Sequence, residues 1–299
     1  MIKRILLIVI FLLVIFSGPA SAGSRIFVVQ SARLPPYENA LDGFKSAIDK
    51  SVTRYIVSEH KNKDIEKEIE KSDPAFILAI GYDALKKVKN IKHIPVIYMM
   101  VLNPRDRFML GDNVSGIQMV VSPKTQLQYF KKTLPEKSNI GVIYNPDFSN
   151  DFMMMAHDSA QEEGITLINI VVKDPVNVPS AVMKARKGID ALWIIPDVTV
   201  LTPEIIEFLI IYSIENSIPI FTFSKKYLET GALLSVDVDP REMGKQAAKL
   251  ALDMLDKNTD SRAVDLPAEK GILSINMKIA DKLGIQFNQE VIENYSVME

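Results

Sequence analysis

Short apolar runs alternate with amphipathic stretches from residue 25 to residue 240. Arg25-Ile26-Phe27-Val28-Val29 reads as a strand, and residues 37–49 read as a helix with Ala40, Leu41, Phe44 and Ile48 on one side. Residues 51–59, 75–81 and 94–101 supply three more strands, with the helix "DALKKVKN" between the last two. After a connection around "NVSGIQM" (113–119), the helix "PKTQLQYFKKTLP" leads into a new strand, "NIGVIYN" (139–145). Continuous apolar strands separated by helices indicate parallel sheets covered on both faces.

The pattern repeats. "RIFVVQ" and "NIGVIYN" each precede a polar loop and a helix, at an offset of 114 residues (26 to 140). "AFILAIGYDAL" resembles "ALWIIPDVTVL" at an offset of 116 (75 to 191), and "HIPVIYMMVLN" resembles "SIPIFTFSKKY" at 124 (94 to 218). Three units in the same order with slowly growing offsets predict two similar Rossmann-like α/β lobes, which a single large sheet does not explain.

Each strand of these lobes ends in polar or aromatic residues. They are Gln30-Ser31, Tyr82-Asp83 and Asn103 in the first lobe, and Tyr144-Asn145, Asp197-Thr199 and Ser224 in the second. In open α/β sheets ligands bind outside the carboxyl ends of the strands. Two such edges facing each other would enclose a ligand in a cleft. Asp197 and Thr199 follow the buried run Leu192 to Pro196, so they are expected at that cleft. The other reading is that they cap the following helix, because Asp and Thr accept from free N–H groups there. Thr202, directly before Pro203, is the better cap candidate, which leaves Asp197 for a cleft role.

The first residues change the picture of where the protein works. Lys3 and Arg4 precede an unbroken apolar run from Ile5 to Phe16, then Ser17-Gly18-Pro19-Ala20-Ser21-Ala22. This is the pattern of a secretory signal peptide cleaved after Ala22. A spanning helix needs about 20 apolar residues, more than this run offers. Residues 1–22 are therefore expected to be removed, and the protein to act in the periplasm. Cleavage takes the formal charge from −2 to −4, because two positive residues leave with the peptide. The absence of cysteine excludes disulfides, thiolate metal sites and a lipid-modified cysteine at the cleavage site. The slightly acidic balance gives no basic face for nucleic acid.

Motifs for chemistry are missing. The three histidines, His60, His93 and His157, lack metal-ligand spacing, and no P-loop, G-x-G-x-x-G or G-x-S-x-G occurs. No metal and no cofactor is expected. Met99-Met100 and "MMMA" (153–156) read as core filler rather than a soft-metal site.

Taken in order, "LPPYENALDGFKSAI", "FILAIGYDAL", "IPVIYMMVLNP", "VSGIQM", "IGVIYNPDFSN", "IPIFTFSKKYLETGALLSVDVDPREMGKQAAKLALDML" and "INMKIADKLGI" resemble one family. It is that of ABC-transporter substrate-binding proteins with the type I periplasmic-binding fold, in the branch with tryptophan- and other amino-acid-binding members. The resemblance runs from about residue 25 to residue 286. It implies three crossings between the lobes, near Met119, Val238 and Asp265. Lobe 1 would hold 23–119 and 239–263, and lobe 2 would hold 120–238 and 264–299. It also implies ligand contacts at Asn103, Asn145, Ser149, Asn150, Asp197, Thr199 and Asp239. Tyr82, beside Asp83, stands where the family has a small hydroxyl residue, so its ring is expected to project into the crevice and stack on a flat ligand. Ser31 and Ser224 complete the expected set.

The implied protein is a non-enzymatic, monomeric solute receptor that closes about a hinge on a small polar or aromatic, amino-acid-like molecule and delivers it to a membrane permease. Two rivals share the same cleft, a periplasmic sensor domain for a signalling partner and a hydrolase using the cleft carboxylates. The export reading has a direct check. Exported protein should begin at Gly23 by mass measurement, and an intact Met1 or firm membrane attachment would overturn it.

Overall fold

The computed structural model describes residues 25–60, 64–255 and 263–298. The expected signal peptide lies outside the described residues. Strand β1 (Arg25–Gln30) leads into helix α1 (Pro35–Ala47), β2 (Ser51–Ile56), α2 (Ile65–Ser72), β3 (Phe76–Ile80), α3 (Tyr82–Val88), β4 (Val96–Val101), the short α4 (Pro104–Arg107) and β5 (Val114–Val121). The series then recurs as α5 (Pro123–Thr133), β6 (Asn139–Tyr144), α6 (Pro146–Glu162), β7 (Thr166–Val171), α7 (Val178–Ala185), β8 (Ala191–Ile194), α8 (Pro203–Asn216), β9 (Ile220–Thr222), α9 (Lys226–Thr230) and β10 (Leu234–Val238). Last come α10 (Pro240–Leu255), β11 (Asp265–Ala268), β12 (Gly271–Asn276), α11 (Met277–Leu283), α12 (Gln289–Asn294) and β13 (Ser296–Met298).

Two sheets result. The first runs β11-β5-β4-β3-β1-β2 and is parallel throughout. The second runs β13-β12-β10-β9-β8-β6-β7, with β10–β12 its antiparallel pair. The order β5-β4-β3-β1-β2 has its counterpart in β10-β9-β8-β6-β7. The sequence repeat is therefore a repeat of topology, since β6, β8 and β9 stand where β1, β3 and β4 stand. β3, β4 and β8 are buried along their whole length because helices cover both faces of each sheet.

The chain passes between the sheets three times, after Val121, after Val238 and between Ala268 and Gly271. The last passage lies later than the expected position near Asp265. Asp265 and Leu266 pair in parallel with Gly116 and Ile117, so residues 265–268 belong to the first sheet and not to the second lobe.

Helix α10 follows the second passage and lies on the first sheet against α1. Their backbones approach closely at two glycines. A Cβ on Gly43 would lie 1.9 Å from the Arg241 carbonyl oxygen, and one on Gly244 would lie 1.9 Å from that of Ala40. Only the missing side chains permit this approach. Around it, Met243, Ala247, Ala248 and Ala251 of α10 join Ala40, Leu41 and Phe44 of α1 in one apolar cluster. The substitution Gly244→Ala should therefore push the helices apart and lower the unfolding free energy by at least about 1–3 kcal/mol, the usual cost of overpacking. Urea denaturation measures it, and an unchanged midpoint would refute the close contact.

Candidate functional site

The carboxyl ends of the strands meet across the gap between the lobes. Asn103, after β4, donates from Nδ2 to the carbonyl oxygen of Pro196, after β8, at 3.0 Å. Asn103 has φ 46°, a left-handed conformation that asparagine tolerates better than most residues. That turn sends its side chain across to the other lobe.

On the first lobe, Ser31 is buried and its Oγ accepts from the Ala84 N–H at 3.0 Å, which holds the start of α3. Gly81, at φ 89°, makes the turn into α3. A Cβ there would sit 2.7 Å from both the Ser31 Oγ and the Tyr37 hydroxyl. Tyr37 thus backs the turn, and burial together with the nearby Asp83 charge pushes its phenol up. Tyr82 and Asp83 open α3 on the exposed side. The Tyr82 ring is part-exposed and stacks on the buried Phe108 with centroids 4.8 Å apart and planes at 30°. That contact uses ring surface that the sequence reading assigned to a ligand.

On the second lobe, Asp197 is fully buried. Its Oδ2 accepts from the Asn145 N–H at 2.8 Å and from the Ser149 hydroxyl at 2.6 Å, and its Oδ1 accepts from the Thr199 N–H at 2.9 Å. Asn145 in turn donates from Nδ2 to the Thr199 hydroxyl at 3.1 Å, while its Oδ1 accepts from the Asp147 N–H at 3.0 Å and caps α6. Four of the expected ligand contacts, Asn145, Ser149, Asp197 and Thr199, therefore bind one another. All the donors that reach the Asp197 carboxylate come from its own lobe, which gives it a structural role at this edge. Thr202 caps α8 as expected, accepting from the Ile205 N–H at 3.3 Å.

The remaining expected residues scatter. Asn150 is exposed and reaches the Met154 sulfur at 3.7 Å within its own helix. Asp239 caps α10, its Oδ1 accepting from the N–H groups of Arg241 and Glu242 at 2.9 and 3.1 Å. Ser224 is half-buried at the end of β9, next to Lys225, whose N–H donates to Asp237 at 2.7 Å. Burial pushes the Asp237 carboxyl up, against the hydrogen bonds from Lys225 and Ser235.

A groove of about 640 Å³ lies between the lobes, and of the expected residues only Asn103 and Ser149 line it. Its first wall carries Arg105, Gln118 and Asp265. Asp265 accepts from the buried Tyr98 hydroxyl at 2.8 Å and from Arg105 Nε. Its second wall is one face of α6, with Phe148, Phe152 and Met155 at helical spacing and Asp151 and Asp158 on the same side. The methionine run is thus divided. Met153 is core, whereas Met154 and Met155 are exposed and border the groove, which corrects the reading of the whole run as core filler. The spacing of Phe148, Phe152 and Met155 was visible in the sequence, but nothing local marks such a face as open rather than packed.

Residues 42–296 match the family model described as ABC transporter substrate binding protein. The chain belongs to that family. A tyrosine-binding protein of Clostridioides difficile is 27% identical over 173 residues, a match covering 55% of this chain and 50% of the relative. The matched stretch thus spans about half the length of that curated relative. Among solved structures, a ligand-free, open substrate binding protein with adhesive properties from Clostridium difficile covers 92% of this chain and 99% of its own, at 20% identity and TM-score 0.64. A Streptococcus pneumonia ABC domain in complex with L-Trp covers 91% and 100%, at 20% identity and TM-score 0.54. These structures share the two-lobed fold of the substrate-binding protein.

The Asp197 arrangement yields a test. Asp197→Ala strips the partners from two backbone N–H groups and one hydroxyl, and each buried group left unpaired costs about 1–3 kcal/mol. The ligand-free variant should unfold at clearly lower denaturant than wild type. Unchanged stability would show that the carboxylate does not hold this edge together.

Proposed function

We propose that the protein is a periplasmic solute receptor of an ABC-type uptake system, which takes an amino-acid-like molecule with an aromatic portion between its lobes and hands it to a membrane permease. One observation carries this reading. The carboxyl ends of both sheets meet at the Asn103–Pro196 bond, beside a groove walled by Phe148 and Phe152 on one side and by polar groups on the other. Ligand sites in open α/β sheets lie at such edges.

Several further features support it. A relative is a tyrosine-binding protein, and a structure of the same fold holds L-Trp. The apolar run of residues 5–16, with its Ala-Ser-Ala end, fits export. The absence of cysteine fits a receptor released without a lipid anchor. In this reading the three passages between the sheets form the hinge, where a few residues absorb the rotation as the lobes close.

Thermal denaturation of residues 23–299 with single amino acids tests the reading. A ligand that binds the native state at a hundred times its Kd adds about 2.7 kcal/mol of stability. L-Tyrosine or L-tryptophan should raise the Tm clearly, and L-alanine should not. Equal shifts with alanine and tryptophan would overturn the aromatic preference, and no shift with any amino acid would overturn the receptor reading.

A further inference from the structure

The groove carries the Arg105–Asp265 pair on its first wall and Asp151 and Asp158 on its second, and this decides what fits it. Arg105 stands on the first wall, and Asp151 and Asp158 stand on α6. Asp265 also faces the groove from the first wall, where it accepts from the Tyr98 hydroxyl and from Arg105 Nε. Arg105 uses Nε on Asp265 and one terminal nitrogen on the Val114 carbonyl at 3.4 Å. A guanidinium has five N–H donors, so further donors remain for a carboxylate, which arginine binds in a two-pronged fashion.

Asp151 and Asp158 lie seven residues apart, two helical turns, and so share a face of α6. Met155 sits between them and is 40% exposed, and Phe148, one turn before Asp151, is 50% exposed, so apolar surface on this face is open to water. Exposed apolar surface rimmed by charge marks a ligand groove.

We propose that this groove seats a zwitterion with a flat apolar body, its carboxylate on Arg105, its ammonium facing Asp151 and Asp158, and its body against Phe152 and Met155. The proposal rests on the receptor reading above and assigns the ligand's place and the residues that choose it. Such a ligand touches both lobes through groups of opposite charge. It therefore binds the closed arrangement better than the open one, the condition for a ligand to shift an equilibrium between two states.

The chain reports on its own groove. It has one tryptophan, and Phe152 packs against Trp193 with ring centroids 5.6 Å apart. A ligand against Phe152 should alter Trp193 emission.

The test uses residues 23–299 with three probes, L-tyrosine, tyramine (which lacks the carboxylate) and 3-(4-hydroxyphenyl)propionate (which lacks the amine). Calorimetry measures affinity, and Trp193 emission is followed under excitation that spares tyrosine. Wild type should prefer L-tyrosine to tyramine by about tenfold to a hundredfold, the worth of a charge-assisted hydrogen bond. Arg105→Gln should erase this preference and keep the one over the deaminated probe. Asp151→Asn with Asp158→Asn should do the reverse. Should Arg105→Gln lose its fold, Arg105→Lys is the second variant, expected to stay folded and to lose part of the preference. If L-tyrosine binds but Arg105→Gln or Arg105→Lys discriminates as wild type does and Trp193 emission stays still, the ligand lies elsewhere and the groove assignment fails while the receptor reading stands. If L-tyrosine does not bind wild type at all, both fail.

Discussion

The backbone contact between α1 and α10 is the constraint on which the geometry of the groove depends. Gly43 and Gly244 let two helices from distant parts of the chain touch. One of them, α10, starts where the chain leaves the second sheet, with Asp239 capping its first turn. Docking α10 on α1 therefore fixes the direction in which the chain re-enters the first lobe. β11 follows and pairs with β5, which brings Asp265 to Tyr98 and Arg105. A side chain at either glycine would move the helix that supports this arrangement. The position of a charged wall thus traces back to two missing Cβ atoms.

The second wall depends on a buried charge. A carboxylate taken out of water is costly unless hydrogen bonds replace its hydration. Asp197 receives three donors, two of them, from Asn145 and Ser149, at the start of α6. Because these donors sit in the first turn of that helix, satisfying the charge also sets how α6 enters. The face with Phe148, Phe152 and Met155 is thereby turned toward the first lobe. The polar tip of "LWIIPDVTVLTPE" serves the neighbouring helix, and through it the groove.

The two-lobe plan was legible because it rests on local patterns, continuous apolar strands and their recurrence. The third passage was misplaced because "DLPA" (265–268) becomes a strand only by pairing with β5, a partner about 150 residues away in the chain. The site was half legible for a similar reason. Strand position put Asn103, Asp197 and Thr199 at the carboxyl edges, where they are. What sequence order does not encode is which polar groups spend their hydrogen bonds on each other. Asp197 and Ser149 are 48 residues apart and Asn145 and Thr199 are 54 apart, so the mutual satisfaction of the four residues is a tertiary fact. Arg105 and the open face of α6 were hidden by the same logic, since an amphipathic helix reads alike whether its apolar side meets a core or a cleft.

The energy of the contact between the edges bears on how the proposed receptor would work. A net hydrogen bond is worth about 0.5–1.5 kcal/mol, so in such a receptor the Asn103–Pro196 bond would bias closure by roughly two- to twelvefold. Moving a two-state equilibrium from mostly open to mostly closed takes about 5.5 kcal/mol of differential binding. In the proposed receptor the bond between the edges would supply a fraction of that, so ligand-free protein would sample both arrangements. The remainder has to come from a molecule that touches both lobes at once. A groove with its polar wall on one lobe and its aromatic wall on the other meets that condition, since neither wall alone can tell an open state from a closed one.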